Sequence, residues 1–165
     1  MLSRLQEIRP DIALGNPTSA RYQLAQIWLG DLSQMLLPVL AIKDEQAIYG
    51  VPENYTWKEN SRRSRLQRNP EAMHIHTTCD TNSASLFMFR DSFANALIPF
   101  ISSRFAEVNY TRAVPYDYTE IELLSPDVVF LEIAERNIPN LLEYIPVLPV
   151  ADHIQASRTC YTMLR

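Results

Sequence analysis

Glycine is scarce in this chain. Only Gly15, Gly30 and Gly50 occur among the 165 residues, where average usage of about 7% would give roughly twelve, and none follows position 50. The sequence therefore has no G-x-G-x-x-G dinucleotide turn, no G-x-x-x-x-G-K-[ST] phosphate-binding loop and no G-x-S-x-G nucleophile elbow. Any active site in this protein has to be built without a glycine-rich loop.

Long apolar runs and lysines are also few. The longest apolar run, Met35 to Ile42, has eight residues and includes Pro38, so it is far shorter than the ~20 residues of a transmembrane helix. The N-terminus lacks the apolar segment of a secretory signal. The net charge is -4, and Lys43 and Lys58 are the only lysines beside 13 arginines, so attraction to nucleic acid or to an anionic membrane is not expected.

Two local features leave alternatives open. The basic segment from Lys58 to Arg68 is either a solvated face or a polyanion patch, and the solvated face is favoured. Cys79 and Cys160 are too far apart for a C-x-x-C redox or zinc motif, so they are either a disulfide formed in an oxidising compartment or two buried thiols. The composition, 47% hydrophobic and 21% charged, is otherwise that of a globular domain with a core, and no cofactor is indicated.

Apolar spacing predicts an α/β domain. Residues 17–40 carry apolar side chains at a three-to-four spacing, which predicts one amphipathic helix or two short ones. Farther along the chain, strands are predicted at 72–77, 84–89, 107–110 and 127–134, and helices at 92–105, 118–124 and 137–144. This order is typical of a three-layer fold with a mostly parallel sheet flanked by helices. Residues 71–145 are its best-supported core.

In such a sheet the functional crevice lies just outside the carboxyl ends of the strands. After the three apolar strands come Arg90–Asp91–Ser92, residues 110–112 and Glu135–Arg136–Asn137. We therefore expect these three clusters to converge.

Ser92 lies at the predicted change from strand to helix. A nucleophilic serine suits that position because free N–H groups at a helix N-terminus, with a side chain such as Asn95 or Asn137, can hold a tetrahedral oxyanion. The alternative is that Asp91 or Ser92 is simply the helix cap. From spacing alone, the cap is the favoured interpretation.

A serine nucleophile also needs a base, and the chain has three histidines. His74 and His76 are two residues apart on a predicted strand, so both face one side. A half-buried strand pair is favoured over a metal site, for which Cys79 and Asp80 are the nearest further ligands, and no metal is predicted. His153, beyond the last strand, is the better-placed candidate base.

Two segments carry a family resemblance, LFMFRDSFANALIPFISSRFAEVNYTR (Leu86–Arg112) and SPDVVFLEIAERNIPNLL (Ser125–Leu142), with weaker support from GDLSQML (Gly30–Leu36). They resemble the DHHW family and the related alginate O-acetylation proteins, members of the SGNH hydrolase-like group. The resemblance covers roughly residues 84–145, and its most specific parts are R-D-S-F at 90–93 and E-R-N at 135–137. It implies a flavodoxin-like α/β fold, a periplasmic or cell-surface location and Ser92 as the nucleophile, which reverses the preference for a simple cap.

The N-terminal part departs from the family pattern. An Asp-His pair in a D-x-H-W type motif is expected just before a segment like NPTSARYQLAQ, but residues 12–17 read IALGNP, without histidine or tryptophan, and Asp11 has no partner histidine. The chain is therefore an N-terminally truncated or rearranged piece, or a degenerate domain, or one in which another histidine substitutes. Residues 1–165 are accordingly expected to be a single SGNH-like domain or the C-terminal portion of one.

The remaining candidate residues fit two interpretations each. Arg90 and Arg136 can bind a carboxylate or an acidic sugar, or they can form structural salt bridges with Asp91 and Glu135. Four aromatic side chains are either a sugar-stacking platform or part of the core, and the core is favoured. These are Trp57, Tyr110, Tyr116 and Tyr118.

The leading hypothesis is an SGNH-like serine esterase or O-acetyltransferase that acts on cell-surface polysaccharide. Ser92 attacks an acyl ester, a histidine such as His153 is the base, and Asn95 or Asn137 stabilises the oxyanion. The expected partners are a polysaccharide or acyl-ester substrate and other proteins of an exopolysaccharide machinery. The alternative is a non-catalytic domain that binds a glycan or a protein.

Overall fold

The structure of the protein, a computed structural model, describes residues 2–12, 14, 21–28, 44–58 and 69–149. The chain divides into two compact units, Thr18–Pro52 and a larger unit made of Met1–Pro17 with Glu53–Arg165. Within the described ranges no helix has both the length and the apolar character that crossing a membrane requires. That residues 1–165 are one SGNH-like domain, or the C-terminal portion of one, stays a prediction.

The smaller unit contains an antiparallel pair of strands. β1 (Tyr22–Trp28) pairs with β2 (Asp44–Tyr49), and the rings of Tyr22 and Tyr49 lie opposite each other with centroids 5.6 Å apart. The helix predicted over residues 17–40 is therefore wrong for the β1 segment. Aromatic and β-branched residues favour strands, and the partner strand is too distant in sequence to register in local periodicity. Residues 17–20 and 29–40 of that prediction lie outside the described residues.

The larger unit is built around a sheet with five strands among the described residues. They are β3 (Thr56–Trp57), β4 (His74–Thr78), β5 (Ser85–Phe89), β6 (Glu107–Thr111) and β7 (Val128–Leu131), in the spatial order β3-β4-β6-β5-β7. β6, β5 and β7 are parallel, whereas β4 is antiparallel to both β3 and β6. The sheet is thus a parallel core with an antiparallel margin.

Helical segments cover the first face of this sheet. Met88 and Tyr110 point to this face and pack with Ile98 from α2 (Ile98–Ser102). Leu5 from α1 (Leu2–Ile8) joins the same core. β5 lies between β6 and β7, and its side chains from Leu86 to Phe89 are almost fully buried, as expected of a strand in a parallel sheet that is covered on both faces.

A second cluster covers the other face. Phe87 and Phe89 pack there with Tyr116 and with Ile121 from α3 (Thr119–Leu124). Layers therefore lie on both sides of the sheet, which confirms the predicted α/β fold class with a sheet flanked by helices.

The predicted helix over residues 92–105 is divided. A 3₁₀ helix, Ser92–Leu97, is followed by α2, and Pro99 lies in the first turn of α2. Proline lacks an N–H and is accommodated there because the first turn does not need that donor. The predicted helix over residues 137–144 is likewise a 3₁₀ turn, Glu135–Asn137, followed by α4 (Asn140–Glu143).

Candidate functional site

Three strand ends meet at one edge of the sheet. Arg90, after β5, donates its backbone N–H to the carbonyl of Thr111 at the end of β6, at 2.9 Å. Glu132, after β7, donates its N–H to the carbonyl of Phe89 at the end of β5, also at 2.9 Å. The predicted convergence of the polar clusters that follow these strands is confirmed, and we call this edge the carboxyl edge.

Ser92 is the first residue of the 3₁₀ helix that follows β5. Asp91 is the N-cap in an extended conformation, φ -110° and ψ -165°, so the turn needs neither glycine nor a left-handed residue. Ser92 is partly buried, and its hydroxyl has no hydrogen-bond partner among the described residues.

The Asp91 carboxylate organises this turn. Its Oδ1 accepts from Phe93 N at 2.8 Å, and its Oδ2 accepts from Ala134 N at 2.7 Å and from Asn137 Nδ2 at 3.0 Å. Partial burial acts to raise the pKa of Asp91, but these hydrogen bonds outweigh it and hold the pKa below its usual value. The N–H groups at the start of the helix and on the Asn137 side chain were predicted to stabilise an oxyanion. In the structure the Phe93 N–H and one N–H of Asn137 donate to Asp91 instead.

Glu132 lies beside Asp91 at the end of β7. Its Oε2 accepts from the backbone N–H of Asp91 at 3.0 Å. Burial raises the pKa of Glu132, the Asp91 N–H lowers it, and the negative charge of Asp91 raises it further, so that the net shift is upward. The two carboxyl groups thus shift in opposite directions, Asp91 toward the ionised form and Glu132 toward the protonated form.

Arg90 is buried, with 3% of its surface exposed. Its Nη1 donates to Asn95 Oδ1 at 2.6 Å and to the Asp91 carbonyl at 3.2 Å, and its Nη2 donates to the carbonyls of Pro70 and Ala72 at 2.8 and 3.0 Å. Burial lowers its pKa, and the charge of Arg112 adds to this effect. The guanidinium therefore clamps the chain before β4 to the turn after β5.

Asn95 continues this network toward the surface. Its Nδ2 donates to Oε1 of Glu71, and Oε2 of Glu71 accepts from Nη1 of Arg112 at 2.6 Å. One hydrogen-bonded chain therefore joins Arg90, Asn95, Glu71 and Arg112. Each amide of Asn95 and Asn137 has two N–H groups, so one remains on each beyond the bond to Glu71 or Asp91.

Arg136 stands over the ring of Phe93, with Cζ 4.6 Å from the centroid. Both side chains are exposed. The salt bridges considered from sequence, Arg90 with Asp91 and Arg136 with Glu135, do not occur within the part of the chain that the structure describes. Arg136 therefore presents an exposed cation beside Phe93, the residue after Ser92, and it carries no paired carboxylate among the described residues.

The described histidines lie on β4. Because β4 is antiparallel to β6, His74 is opposite Thr111 and lies at the carboxyl edge, where it is exposed. His76 is farther from this edge, and its Nε2 lies 3.0 Å from Glu107 Oε1, which forms an ion pair when the ring is protonated. His153 lies outside the described residues, so its role as a base stays a prediction.

The aromatic residues belong largely to the core. Tyr110 and Tyr116 are buried, and Tyr116 and Tyr118 contact the ring of Phe89 at centroid distances of 5.1 and 5.6 Å. Burial raises the pKa of Tyr110 far above its usual value. Trp57 packs against the core on the first face of the sheet. The core interpretation is confirmed for Tyr110 and Tyr116.

Cys79 is a free, buried thiol. Its Sγ lies 3.0 Å from the carbonyl of Asn54 and 3.2 Å from both Asn82 Nδ2 and Thr81 Oγ1. Cys160 lies outside the described residues. Among the described residues, no three His, Cys, Asp or Glu side chains are grouped to hold a metal ion.

Most of the predicted site residues are brought together, and two neighbours were missed. Arg90, Ser92, Asn95, Arg136 and Asn137 all lie after the carboxyl ends of β5 and β7. Glu132 was missed because the strand was predicted to run to residue 134, which placed it within the strand. Glu71 was missed because no local pattern links it to Asn95, 24 residues away.

The fold is shared with two solved proteins. A DHHW family protein from Eubacterium siraeum aligns with a TM-score of 0.55 and 14% identity over 88% of this chain and 58% of its own. Bacillus cereus PatB1 with a sulfonyl adduct aligns with a TM-score of 0.58 and 15% identity over 83% of this chain and 55% of its own. No family model and no curated protein matches the sequence. The chain thus has the α/β fold of these proteins and spans little more than half of their length.

Proposed function

We propose that this chain is an SGNH-type serine acyl-ester hydrolase or O-acetyltransferase domain in which Ser92 is the nucleophile. The observation that carries the proposal is the position of Ser92. Its hydroxyl, without a partner among the described residues, lies at the carboxyl edge where the ends of β5 and β7 meet. Ligands of open α/β sheets bind at this edge.

The likeness to the solved structures supports the same proposal. One of them, PatB1, carries a sulfonyl adduct, and sulfonyl reagents modify activated hydroxyl groups. The R-D-S-F and E-R-N segments, which carry the resemblance to the DHHW family, form the two sides of the Asp91 hydrogen-bond cluster. We propose on this basis that the chain is related to the DHHW group.

The proposed reaction has two transfers. Ser92 Oγ forms a bond to the acyl carbonyl carbon as its proton passes to a base, and the ester alcohol then leaves with that proton. Water or a sugar hydroxyl next attacks the carbonyl carbon of the acyl-serine and gives its proton to the base. The bond from that carbon to Ser92 Oγ then breaks, the acyl group leaves as the free acid or the sugar ester, and the base returns the proton to Ser92 Oγ. The candidate bases are His74, exposed at the same edge, and His153.

The oxyanion needs hydrogen-bond donors, and the remaining amide N–H groups of Asn95 and Asn137 are the candidates. The bonds of Asn95 to Arg90 and Glu71, and of Asn137 to Asp91, hold these amides in place. The cation of Arg136 suits a substrate with a carboxylate, such as an acidic cell-surface polysaccharide.

One observation favours the alternative of a non-catalytic binding domain. The Asp91 carboxylate engages the N–H of Phe93 and one N–H of Asn137, so fewer donors point to an oxyanion than in a site with a free helix start. In such a domain the exposed pair of Phe93 and Arg136 is the contact surface for a glycan or a protein.

Hydrolysis of p-nitrophenyl acetate by the full chain separates these functions. We expect turnover that Ser92→Ala reduces by about 10³-fold or more. The matched control is Ser83→Ala, an exposed serine before β5 at the opposite edge of the sheet, and it should retain full activity. Hydrolysis that is absent in the wild type, or unchanged in Ser92→Ala, contradicts the catalytic proposal and leaves the binding domain.

A further inference from the structure

Two hydrogen bonds join the turn that carries Ser92 to the segment at the end of β7. Asp91 N–H donates to Glu132 Oε2 at 3.0 Å, and Ala134 N–H donates to Asp91 Oδ2 at 2.7 Å. The bonds run in opposite directions between the same two segments. A fixed orientation of this turn therefore depends on both carboxyl groups.

The two carboxyl groups also influence each other's pKa. Besides the effects of burial and of the N–H donors, their interaction acts to lower the pKa of Asp91 and to raise that of Glu132. A direct hydrogen bond between two carboxyl groups requires one proton for the pair. The Asp91 oxygens already accept three N–H groups, from Phe93, Ala134 and Asn137, so Glu132 is the group that would carry this proton.

We infer that Glu132 is the positioning residue of Ser92: its carboxyl group accepts the Asp91 N–H, donates to the Asp91 carboxylate, and so holds the turn on which Ser92 lies. This inference rests on the proposed function, because it assigns a residue to the nucleophile of that reaction. Glu132 itself touches neither the acyl group nor the leaving alcohol in this assignment.

The charges that face Glu132 come from two sides. Asp91 and Arg90 follow β5, and Tyr116 precedes α3 close enough for the charge of Glu132 to raise its pKa. Loss of the proton from Glu132 removes the bond to Asp91 and places a second negative charge beside it. Both changes disfavour the negative charge that develops when Ser92 reacts, so Ser92 should lose reactivity as Glu132 ionises.

The test compares inactivation by phenylmethylsulfonyl fluoride, followed by mass spectrometry, in wild type and variants of the full chain. Glu132→Gln keeps an acceptor for Asp91 N–H and a donor for the Asp91 carboxylate, and it cannot ionise. Glu135→Gln is the matched control, since Glu135 is an exposed carboxyl three residues away. Rates are measured from about pH 4 to about pH 8, which spans the ordinary glutamate pKa of about 4.3 and raised values.

At the acidic end of the range we expect Glu132→Gln and the wild type to be inactivated at equal rates. At the alkaline end we expect the variant to be inactivated up to about tenfold faster, the factor that corresponds to a shift of one pKa unit. Glu135→Gln should follow the wild type throughout, and Glu132→Ala should be slow at every pH. Equal profiles for wild type and Glu132→Gln overturn the inference alone. A wild type that never reacts at Ser92 overturns the proposed function, and the inference with it.

Discussion

Asn137 Nδ2 lies 3.0 Å from Asp91 Oδ2, and this hydrogen bond joins the segment after β7 to the turn after β5. Asn137 was expected to serve the oxyanion directly. It contributes first to the placement of Asp91, and through Asp91 to the placement of Ser92. The E-R-N and R-D-S-F segments are therefore coupled physically.

Asp91→Ala should destabilise the protein markedly. The substitution removes the acceptor of Phe93 N–H, Ala134 N–H and the Asn137 amide. Loss of a helix cap costs about 1 kcal/mol, and each further unsatisfied donor adds about 1–3 kcal/mol where it is buried. Urea denaturation should show a loss of about 2 kcal/mol or more; a loss below about 0.5 kcal/mol would show that water replaces these bonds at no cost.

The pH dependence of unfolding should reveal Asp91. Its pKa is lowered in the folded state, so its contribution to stability is present above the unfolded value of about 3.9 and is lost as pH falls through the folded value. Asp91→Asn should flatten the acid limb of the free energy of unfolding against pH. An acid limb identical to that of the wild type would remove Asp91 from this account.

Two buried arginines should respond in opposite ways to replacement by methionine. Arg90→Met leaves Asn95 and three carbonyls without their donor, and we expect a loss of about 3 kcal/mol. Arg104 is also buried and its pKa is lowered by burial, but its guanidinium makes no hydrogen bond or ion pair among the described residues, whereas that of Arg90 makes four hydrogen bonds. Arg104→Met should therefore be neutral or stabilising. Equal thermal destabilisation by both variants would contradict the clamp role of Arg90.

Arg136→Ala should separate stability from substrate binding. Its contact with Phe93 is exposed, so the free energy of unfolding should fall by no more than about 1 kcal/mol. If Arg136 binds the carboxylate of the substrate, KM for an acetylated acidic oligosaccharide should rise about tenfold, which corresponds to about 1.4 kcal/mol. KM for the neutral p-nitrophenyl acetate is the internal control, and an equal rise for both esters would exclude charge recognition.

The sequence was informative where apolar runs and chain order decide the outcome. The apolar run from Ala84 to Phe89 predicted a strand, and this strand is β5 (Ser85–Phe89), which is almost fully buried from Leu86 onward. The order of the strands also predicted that Ser92 and Asn137 lie at the same edge of the sheet. Local patterns and the rule for parallel strands are sufficient for such conclusions.

The sequence was insufficient where contacts between distant residues decide. Residues 22–28 have helical spacing but form a strand, because pairing with β2 outweighs that periodicity. Arg90 was predicted either to bind a substrate or to form a salt bridge with an acidic residue, yet its guanidinium donates to the carbonyls of Pro70 and Ala72, some 20 residues earlier. The Asp91 and Glu132 pair is likewise visible only once β5 and β7 are side by side.

Peptide mapping after reaction with phenylmethylsulfonyl fluoride tests the central claim most directly. Our account predicts one sulfonyl adduct on the peptide that contains Ser92, its loss in Ser92→Ala and its retention in Ser83→Ala. No adduct on the folded wild type, or an adduct that persists in Ser92→Ala, would contradict the assignment of Ser92 as the nucleophile.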